Sequence, residues 1–124
     1  MIEHRHTFPK SHRIRTRKEF SGVFQEGVRG SRGPLTLYGV PNTMGHPRLG
    51  LAVGRSVGMA VRRNRIKRLL RESFRHLQHD LPGSYDLVIV VRPHEPLDGP
   101  RYRELLMSLA RQVDAAWRNR KATP

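Results

Sequence analysis

Apolar residues recur at helical spacing in three segments of the chain. The first segment begins with TRKE at positions 16–19, which has the form of a capping box, with a hydroxyl at the N-cap and a carboxylate three residues later. Apolar residues then stand at i, i+3 and i+4, namely Phe20, Val23 and Phe24. The pattern predicts a first helix over 17–26, with Gly27 as a left-handed C-terminal stop.

The second segment, AVRRNRIKRLLRESFR at positions 60–75, divides a helix into two faces. At about 100° per residue, one arc is largely apolar: Ile66, Leu69, Leu70, Ser73, Phe74 and Leu77. The opposite arc is basic and is relieved only by Glu72: Arg65, Lys67, Arg68, Arg71 and Arg75. Pro82-Gly83 is predicted to close this helix, and the DGP segment at 98–100 opens a third one with apolar residues at helical spacing through Trp117.

Strand patterns fill the gaps between the helices. LTLYGV (35–40) and RLGLAV (48–53) alternate in polarity or size, and the turn-rich segment between them predicts an antiparallel hairpin. LVIVV (87–91) is an unbroken apolar run, as expected for a central strand covered on both faces. Residues 28–32 allow a further short strand.

This order of elements predicts one α+β domain spanning residues 1–124, with a small sheet covered mainly on one side. The basic segments 1–12 and 118–124 lack periodicity, so a flexible N-terminal arm and a C-terminal tail are expected at the two ends.

Charge is the most informative bulk property. The chain has 24 Lys and Arg against 10 Asp and Glu, a net charge of +14. A compact body with that charge repels itself, and a polyanion is the usual partner that makes such an imbalance useful. Nucleic acid is therefore the expected partner. No apolar run approaches the length of a membrane span, and the absence of cysteine fits a reducing cytoplasm.

The sequence offers no recognisable protein active site. It has no cysteine, no G-x-S-x-G elbow, no Walker-type glycine loop and no close pair of carboxylates for acid–base or two-metal chemistry. The histidine pairs His4/His6 and His76/His79 are interpreted as solvated side chains rather than metal ligands, so no protein metal site is predicted.

The basic helix favours an RNA or DNA surface over a merely solvated face. Surface helices normally interleave acids with bases, because opposite charges at i,i+4 stabilise and like charges destabilise by a few tenths of a kcal/mol. Here the bases also crowd the helix N-terminus, where the helix dipole disfavours cations. Bound phosphates would offset both costs.

RRNRIKRLLRESFR (62–75) closely resembles the signature of the bacterial ribonuclease P protein subunit, the basic partner of a catalytic RNA that trims precursor tRNA. The order KEFSGVFQEG, LTLY, LGLAVGRSVG, YDLVIVVRP and a last amphipathic helix is similar to that family over roughly residues 13–117. The resemblance implies a mixed four-stranded sheet, ribosomal-protein-like, with about three helices and a left-handed β-α-β crossover. One departure is GRSVG, which has Ser56 and Val57 where the family often carries lysines.

The resemblance also implies two binding regions. The catalytic RNA would contact the basic helix and its preceding loop, through Arg55, Arg62, Arg63, Asn64, Arg65, Lys67, Arg68 and Arg71. The single-stranded 5′ leader of the precursor would lie in a cleft formed by Phe20, Phe24 and Tyr38, with Arg13 and Arg15 near the rim. The helical spacing of Phe20 and Phe24 fits core packing equally well, and both roles stay open for them.

The function implied is that of an RNA-binding subunit of an endoribonuclease, in which the RNA and its Mg²⁺ carry out the cleavage and the protein grips the leader. Neither a membrane nor DNA is expected as a partner. Two alternatives are a ribosomal or general RNA-binding protein without an enzymatic partner, and a nuclease acting alone, against which the scattered carboxylates argue.

Overall fold

A computed structural model of the chain describes residues 9–122. Its helices and strands are, in chain order, α1 (Arg17–Glu26), β1 (Val28–Arg32), β2 (Leu35–Pro41), β3 (Arg48–Ala52), α2 (Ala60–Leu77), β4 (Tyr85–Val91) and α3 (Gly99–Ala122). Short 3₁₀ turns at Lys10–His12 and Arg55–Val57 precede α1 and α2. The span predicted for the first helix and the further short strand at 28–32 are both confirmed.

The four strands form one mixed sheet in the order β1-β2-β4-β3. β2 is antiparallel to β1 and to β4, whereas β3 is parallel to β4. Gly33, at φ +57°, forms the tight turn between β1 and β2 together with Pro34, in a conformation that favours glycine. The helix α2 connects the parallel neighbours β3 and β4, which gives the β-α-β unit implied by the resemblance.

The predicted hairpin between 35–40 and 48–53 is wrong, because β4 lies between those two strands. The apolar run of β4 is buried on both faces and pairs along both edges, as predicted for a central strand. The turn-rich segment 42–47 therefore carries the chain past the end of β4 and does not fold β3 back onto β2.

The two faces of the sheet carry different cores. On one face, α2 and α3 bury the larger core, to which α2 contributes Ile66, Leu70 and Phe74, all fully buried. On the other face, the shorter α1 packs over part of the sheet around Ile14, Val23 and Val88. The second face is thus partly open, and the candidate site lies there.

Two helix ends differ from the sequence predictions. Gly27 caps α1 with φ −76°, an extended conformation and not the left-handed one. A β-carbon there would collide with the carbonyl oxygens of Val23 and Gly39, so glycine is needed for the close approach of α1 to β2. The helix α2 ends at Leu77, before Pro82-Gly83.

The predicted terminal segments are partly structured. The helix α3 continues through Ala122, into the segment expected to be a tail. At the other end, the Ile14 N–H donates to the Leu49 carbonyl at 2.9 Å, and Arg13 bridges to Leu49 in parallel register. Residues 1–8 of the predicted arm lie outside the described residues.

Candidate nucleic-acid interface

An ion-pair network fixes α1 on the open face of the sheet. The Arg48 guanidinium on β3 donates two hydrogen bonds of 2.7 Å to the Asp86 carboxylate on β4. Its remaining Nη1 donates to Glu19 Oε2 on α1 at 2.8 Å. Only 18% of the Arg48 side chain is exposed, so this pairing is shielded from solvent more than a surface ion pair would be.

The same glutamate completes the predicted capping box of α1. Thr16 Oγ1 accepts from the Glu19 N–H at 3.1 Å, and Glu19 Oε1 accepts from the Thr16 N–H at 3.1 Å. The hydrogen bonds that the Glu19 carboxylate accepts, led by the one from the Thr16 N–H and joined by those from Arg15 and Arg48, lower the pKa of Glu19 to about 2. Glu19 therefore sets both the start of α1 and its position on the sheet.

A row of aromatic rings lies between α1 and the sheet. The Phe20 and Phe24 ring centroids are 6.4 Å apart, and Phe24 meets Tyr38 edge-on at 4.9 Å. Phe20 and Tyr38 are half-buried, whereas 39% of Phe24 is exposed. Tyr38 faces away from its buried neighbours Leu35 and Leu37, as its alternation on the strand predicted. We call this row, with the space beside it, the aromatic cleft.

A cavity of about 210 Å³ opens at the Phe20 end of the aromatic cleft. Arg13 and Arg15 line it, as predicted for the rim, and Gly50 of β3 lies beneath the Phe20 ring. A β-carbon on Gly50 would stand 2.8 Å from Phe20 Cζ and 3.1 Å from Ile14 Cβ. The glycine therefore lets Phe20 lie flush on the strand, a feature that the sequence prediction missed.

Along α2, four cations form a surface that we call the cationic ridge: Arg65, Lys67, Arg68 and Arg71. Lys67 is half-buried and the three arginines are exposed. Among residues 9–122, no carboxylate lies within ion-pair distance of these four side chains. The one acid on this part of the helix, Glu72, pairs instead with Arg75 at 3.6 Å. The ridge therefore presents uncompensated positive charge to a partner.

The other predicted RNA-contacting residues lie around the start of α2. They differ in whether the side chain is exposed or makes a contact within the protein. Arg55 in the 3₁₀ turn and Asn64 on the helix are exposed. Arg62, by contrast, pairs with Glu95 at 3.2 Å, and Arg63 Nε donates to the Gly58 carbonyl at 3.1 Å. Arg63 thus holds the loop before α2, and Arg62 ties the start of α2 to the segment between β4 and α3. Local spacing could not reveal either role.

The aromatic cleft and the cationic ridge are continuous. Arg13 and Arg71 line the cleft cavity, and both also line a second cavity of about 460 Å³ beside α2, together with Arg68, Glu72 and Arg75. Arg75 lies on the basic arc predicted for the helix, although it was not among the residues expected to bind RNA. The structure thus joins the two regions that the resemblance described separately.

The described part of the chain holds neither a cluster of metal ligands nor a membrane-spanning helix. No group of three or more His, Asp or Glu side chains among residues 9–122 is placed to hold a metal ion. His76 and His79 are both exposed, whereas His4 and His6 lie outside the described residues. None of the described helices is both long enough and apolar enough to cross a membrane.

Comparison with known proteins decides the family. The family model described as Ribonuclease P matches residues 8–120. The chain belongs to this family. It is 44% identical over 106 residues to the ribonuclease P protein component of Photorhabdus laumondii, a match that covers 85% of this chain and 89% of the relative. The ribonuclease P protein component of Edwardsiella ictaluri is 43% identical over 107 residues, which cover 86% of this chain and 90% of the relative.

Solved structures agree with the sequence comparison. The ribonuclease P protein of Thermotoga maritima superimposes with a TM-score of 0.72 and 34% identity, covering 80% of this chain and 96% of that one. Membership of the ribonuclease P family makes this chain a protein subunit of an endoribonuclease, with an RNA partner. The predicted α+β fold of four mixed strands and three helices is confirmed.

Proposed function

We propose that this protein assists a catalytic RNA in the endonucleolytic removal of the 5′ leader from precursor tRNA, in the cytoplasm. The observation that carries the proposal is the continuity between the aromatic cleft and the cationic ridge, through Arg13 and Arg71. One RNA can lie along the ridge while a second strand enters the cleft beside it.

The aromatic cleft suits an unpaired leader of any sequence. Aromatic rings stack on every base, and each stacked base contributes about 1–3 kcal/mol without sequence preference. Phe24 and Tyr38 supply ring surface, while Arg13 and Arg15 supply positive charge at the rim. A subunit that grips the leader in this way binds precursor tRNA more tightly than mature tRNA, which has no leader.

The cationic ridge suits the structured catalytic RNA. Each phosphate that Arg65, Arg68 or Arg71 neutralises releases condensed counterions, which favours binding. The binding also removes the repulsion between neighbouring bases on α2 that costs the free protein stability. Arg63 holds the preceding loop and would present Arg55 to the same RNA, with Asn64 exposed nearby on the helix.

The cleavage itself is assigned to the RNA in this proposal. The RNA and the Mg²⁺ that it holds would supply the activated water for hydrolysis of the phosphodiester bond at the end of the leader, and no residue of the protein is assigned to the metal. The protein residues screen the phosphate repulsion between ribozyme and substrate and position the leader.

A reconstitution assay tests the proposal. Adding the protein to the catalytic RNA and precursor tRNA at low Mg²⁺ should restore cleavage at the 5′ end of the mature tRNA, while the protein alone should leave the precursor intact. Without rescue, a ribosomal or general RNA-binding role would replace the proposal. Cleavage by protein alone would instead show a nuclease that needs no RNA.

A matched pair of variants sharpens this assay. Tyr38→Ala should weaken binding of a precursor with a leader but leave binding of mature tRNA unchanged, because only the leader enters the cleft. Arg101→Ala, on α3, removes an exposed base that pairs with Glu104 at 2.9 Å and lies outside both regions. This variant should change neither the affinity for the leader-containing precursor nor the affinity for mature tRNA.

A further inference from the structure

Another cavity, separate from the two described above and lined in part by aromatic rings, lies at the end of the sheet where β2 finishes and β4 begins. It has a volume of about 320 Å³, within the range of pockets that hold small ligands. Its walls come from the end of β2, the loop before β4 and the last turns of α3, including Pro41, Gly83, Tyr85, Asp114, Trp117 and Arg118. We call it the end slot. It shares no lining residue with the cleft cavity.

The aromatic walls of the end slot are fixed by hydrogen bonds. The Trp117 indole Nε1–H donates to the Gly39 carbonyl at 2.8 Å, and the Tyr85 hydroxyl donates to Asp114 Oδ1 at 2.8 Å. Burial, reinforced by the bond to Asp114, raises the pKa of Tyr85 to about 12, so this hydroxyl stays protonated. The rings are therefore preorganised for a planar ligand.

A glycine shapes the floor of the end slot. Gly83 has φ +70°, and a β-carbon there would stand 2.6 Å from Tyr85 Cε2. Both the backbone conformation and the close approach to the ring therefore require glycine. The loop therefore lies directly on the Tyr85 ring.

One arginine packs over the Trp117 ring, and a second lines the end slot with it. The Arg120 guanidinium lies 4.9 Å from the ring centroid, and 74% of the Arg118 side chain is exposed. The carboxylate among the lining residues, Asp114, is buried, accepts from the Tyr85 hydroxyl and forms an ion pair with Arg118, whose Nε lies 3.0 Å from Asp114 Oδ2. An aromatic surface flanked by guanidinium groups is the arrangement with which proteins bind single-stranded nucleic acid.

We propose that the end slot binds one nucleotide of single-stranded RNA, with its base against Trp117 and its phosphate held by Arg118 and Arg120. Guanidinium groups match phosphate oxygens and also stack on bases, so the two arginines can serve either part of the nucleotide. This site is built separately from the aromatic cleft and does not depend on the function proposed above.

Intrinsic fluorescence gives a local readout, because Trp117 is the single tryptophan of the chain. Titration of the full-length protein with short oligoadenylate should produce saturable quenching, and inorganic phosphate at equal concentration should produce none. Absence of quenching by oligoadenylate would overturn the proposal. Quenching by phosphate alone would also overturn it, since the base would then be unnecessary.

Variants separate the end slot from the aromatic cleft. The double change Arg118→Ala and Arg120→Ala should flatten the plot of log affinity against log salt by about 0.7, the value for one phosphate contact, and Arg120→Ala alone should flatten it by less. The single variant keeps the pair between Arg118 and Asp114, so it tests the site in an intact fold. Unchanged slopes would refute the phosphate contacts.

Phe24→Ala provides the control from the other region. It should leave the midpoint of Trp117 quenching unchanged, whereas loss of quenching in this variant would place the RNA in the aromatic cleft and overturn the proposal. The reconstitution assay above depends on cleavage at low Mg²⁺ and not on Trp117 fluorescence. Failure of one proposal is therefore distinguishable from failure of the other.

Discussion

At the scale of single residues, Glu19 links the start of a helix to the architecture of the binding surface. One carboxylate oxygen caps α1 through the Thr16 and Arg15 N–H groups, and the other accepts from Arg48, which in turn holds Asp86. The position of the aromatic cleft depends on this chain of contacts, because Phe20 and Phe24 lie on the helix that it anchors.

Glu19→Gln should lower the free energy of unfolding by about 1 kcal/mol, because it weakens the cap and removes the charge opposite Arg48. The folded-state pKa of Glu19 is lowered from 4.5 to about 2, so its contribution is complete above about pH 4.5 and disappears as pH falls towards 2. Urea unfolding at several pH values should therefore show a gap between wild type and variant that closes over that interval.

Glu26→Gln is the matched control, since Glu26 is exposed at the other end of α1. It should leave stability within experimental error of wild type. A gap for Glu19→Gln that stays constant from pH 6 to pH 2 would contradict the assigned role.

Gly50→Ala tests the floor of the aromatic cleft. The added methyl group would meet the Phe20 ring at 2.8 Å and displace it towards the cavity, so binding of a leader-containing precursor should weaken. Gly22→Ala, on α1, has nothing within 4 Å of the new β-carbon. It should raise the free energy of unfolding by about 0.5–1 kcal/mol and leave binding unchanged. Equal precursor affinity for both variants would show that Phe20 does not contact the leader.

At the scale of elements, α2 has an apolar face that packs in the core and a cationic face that is exposed. The centre of its apolar face is fully buried against the sheet and α3, whereas the opposite face carries four cations without carboxylate partners among residues 9–122. The buried face fixes the direction in which the ridge points, so the charges need no rearrangement to meet an RNA.

Arg65→Ala and Arg68→Ala should each weaken RNA binding and flatten the plot of log affinity against log salt by about 0.9, one phosphate contact apiece. Filter binding over a range of salt concentrations measures this slope. Arg101→Ala, whose charge is already paired with Glu104, should leave the slope as in wild type. Unchanged slopes in the Arg65→Ala and Arg68→Ala variants would show that these side chains contact solvent and not phosphate.

Helices were easier to predict from this sequence than strand partners. The capping box at 16–19 and the apolar arc of α2 are local signals, and the structure reproduces both. Strand pairing is set by contacts between distant segments, so alternation at 35–40 and 48–53 identified the strands but gave them the wrong neighbour. The pairing of Arg62 with Glu95 is equally non-local, and no spacing in the sequence indicates it.

At the scale of the whole molecule, Arg13 and Arg71 connect the two proposed RNA sites. Arg13 precedes α1 and Arg71 lies midway along α2, yet both side chains line both cavities. The resemblance to a known family gave each region its residues, but only the fold shows that the regions meet.

Arg71→Ala should therefore weaken two measurements together, the affinity for the catalytic RNA and the preference for precursor over mature tRNA. Arg65→Ala should weaken only the first, because Arg65 lies on the ridge away from the cleft cavity. Equilibrium binding of each RNA to the two variants separates these effects. A loss confined to one measurement in Arg71→Ala would show that the sites act independently.

The short bridge from Arg13 and Ile14 to Leu49 has a consequence beyond the cleft. β3 is one of the two edge strands of the sheet, and an uncovered edge strand is a template for pairing with another copy of the chain. Ile14 occupies part of the free edge of β3. Proteolytic removal of the chain up to Arg15 would therefore open the wall of the cleft. It would also expose that edge of β3 to pairing with other copies of the chain. The segment leading into α1 therefore covers part of an edge strand while it shapes the place where a leader would lie.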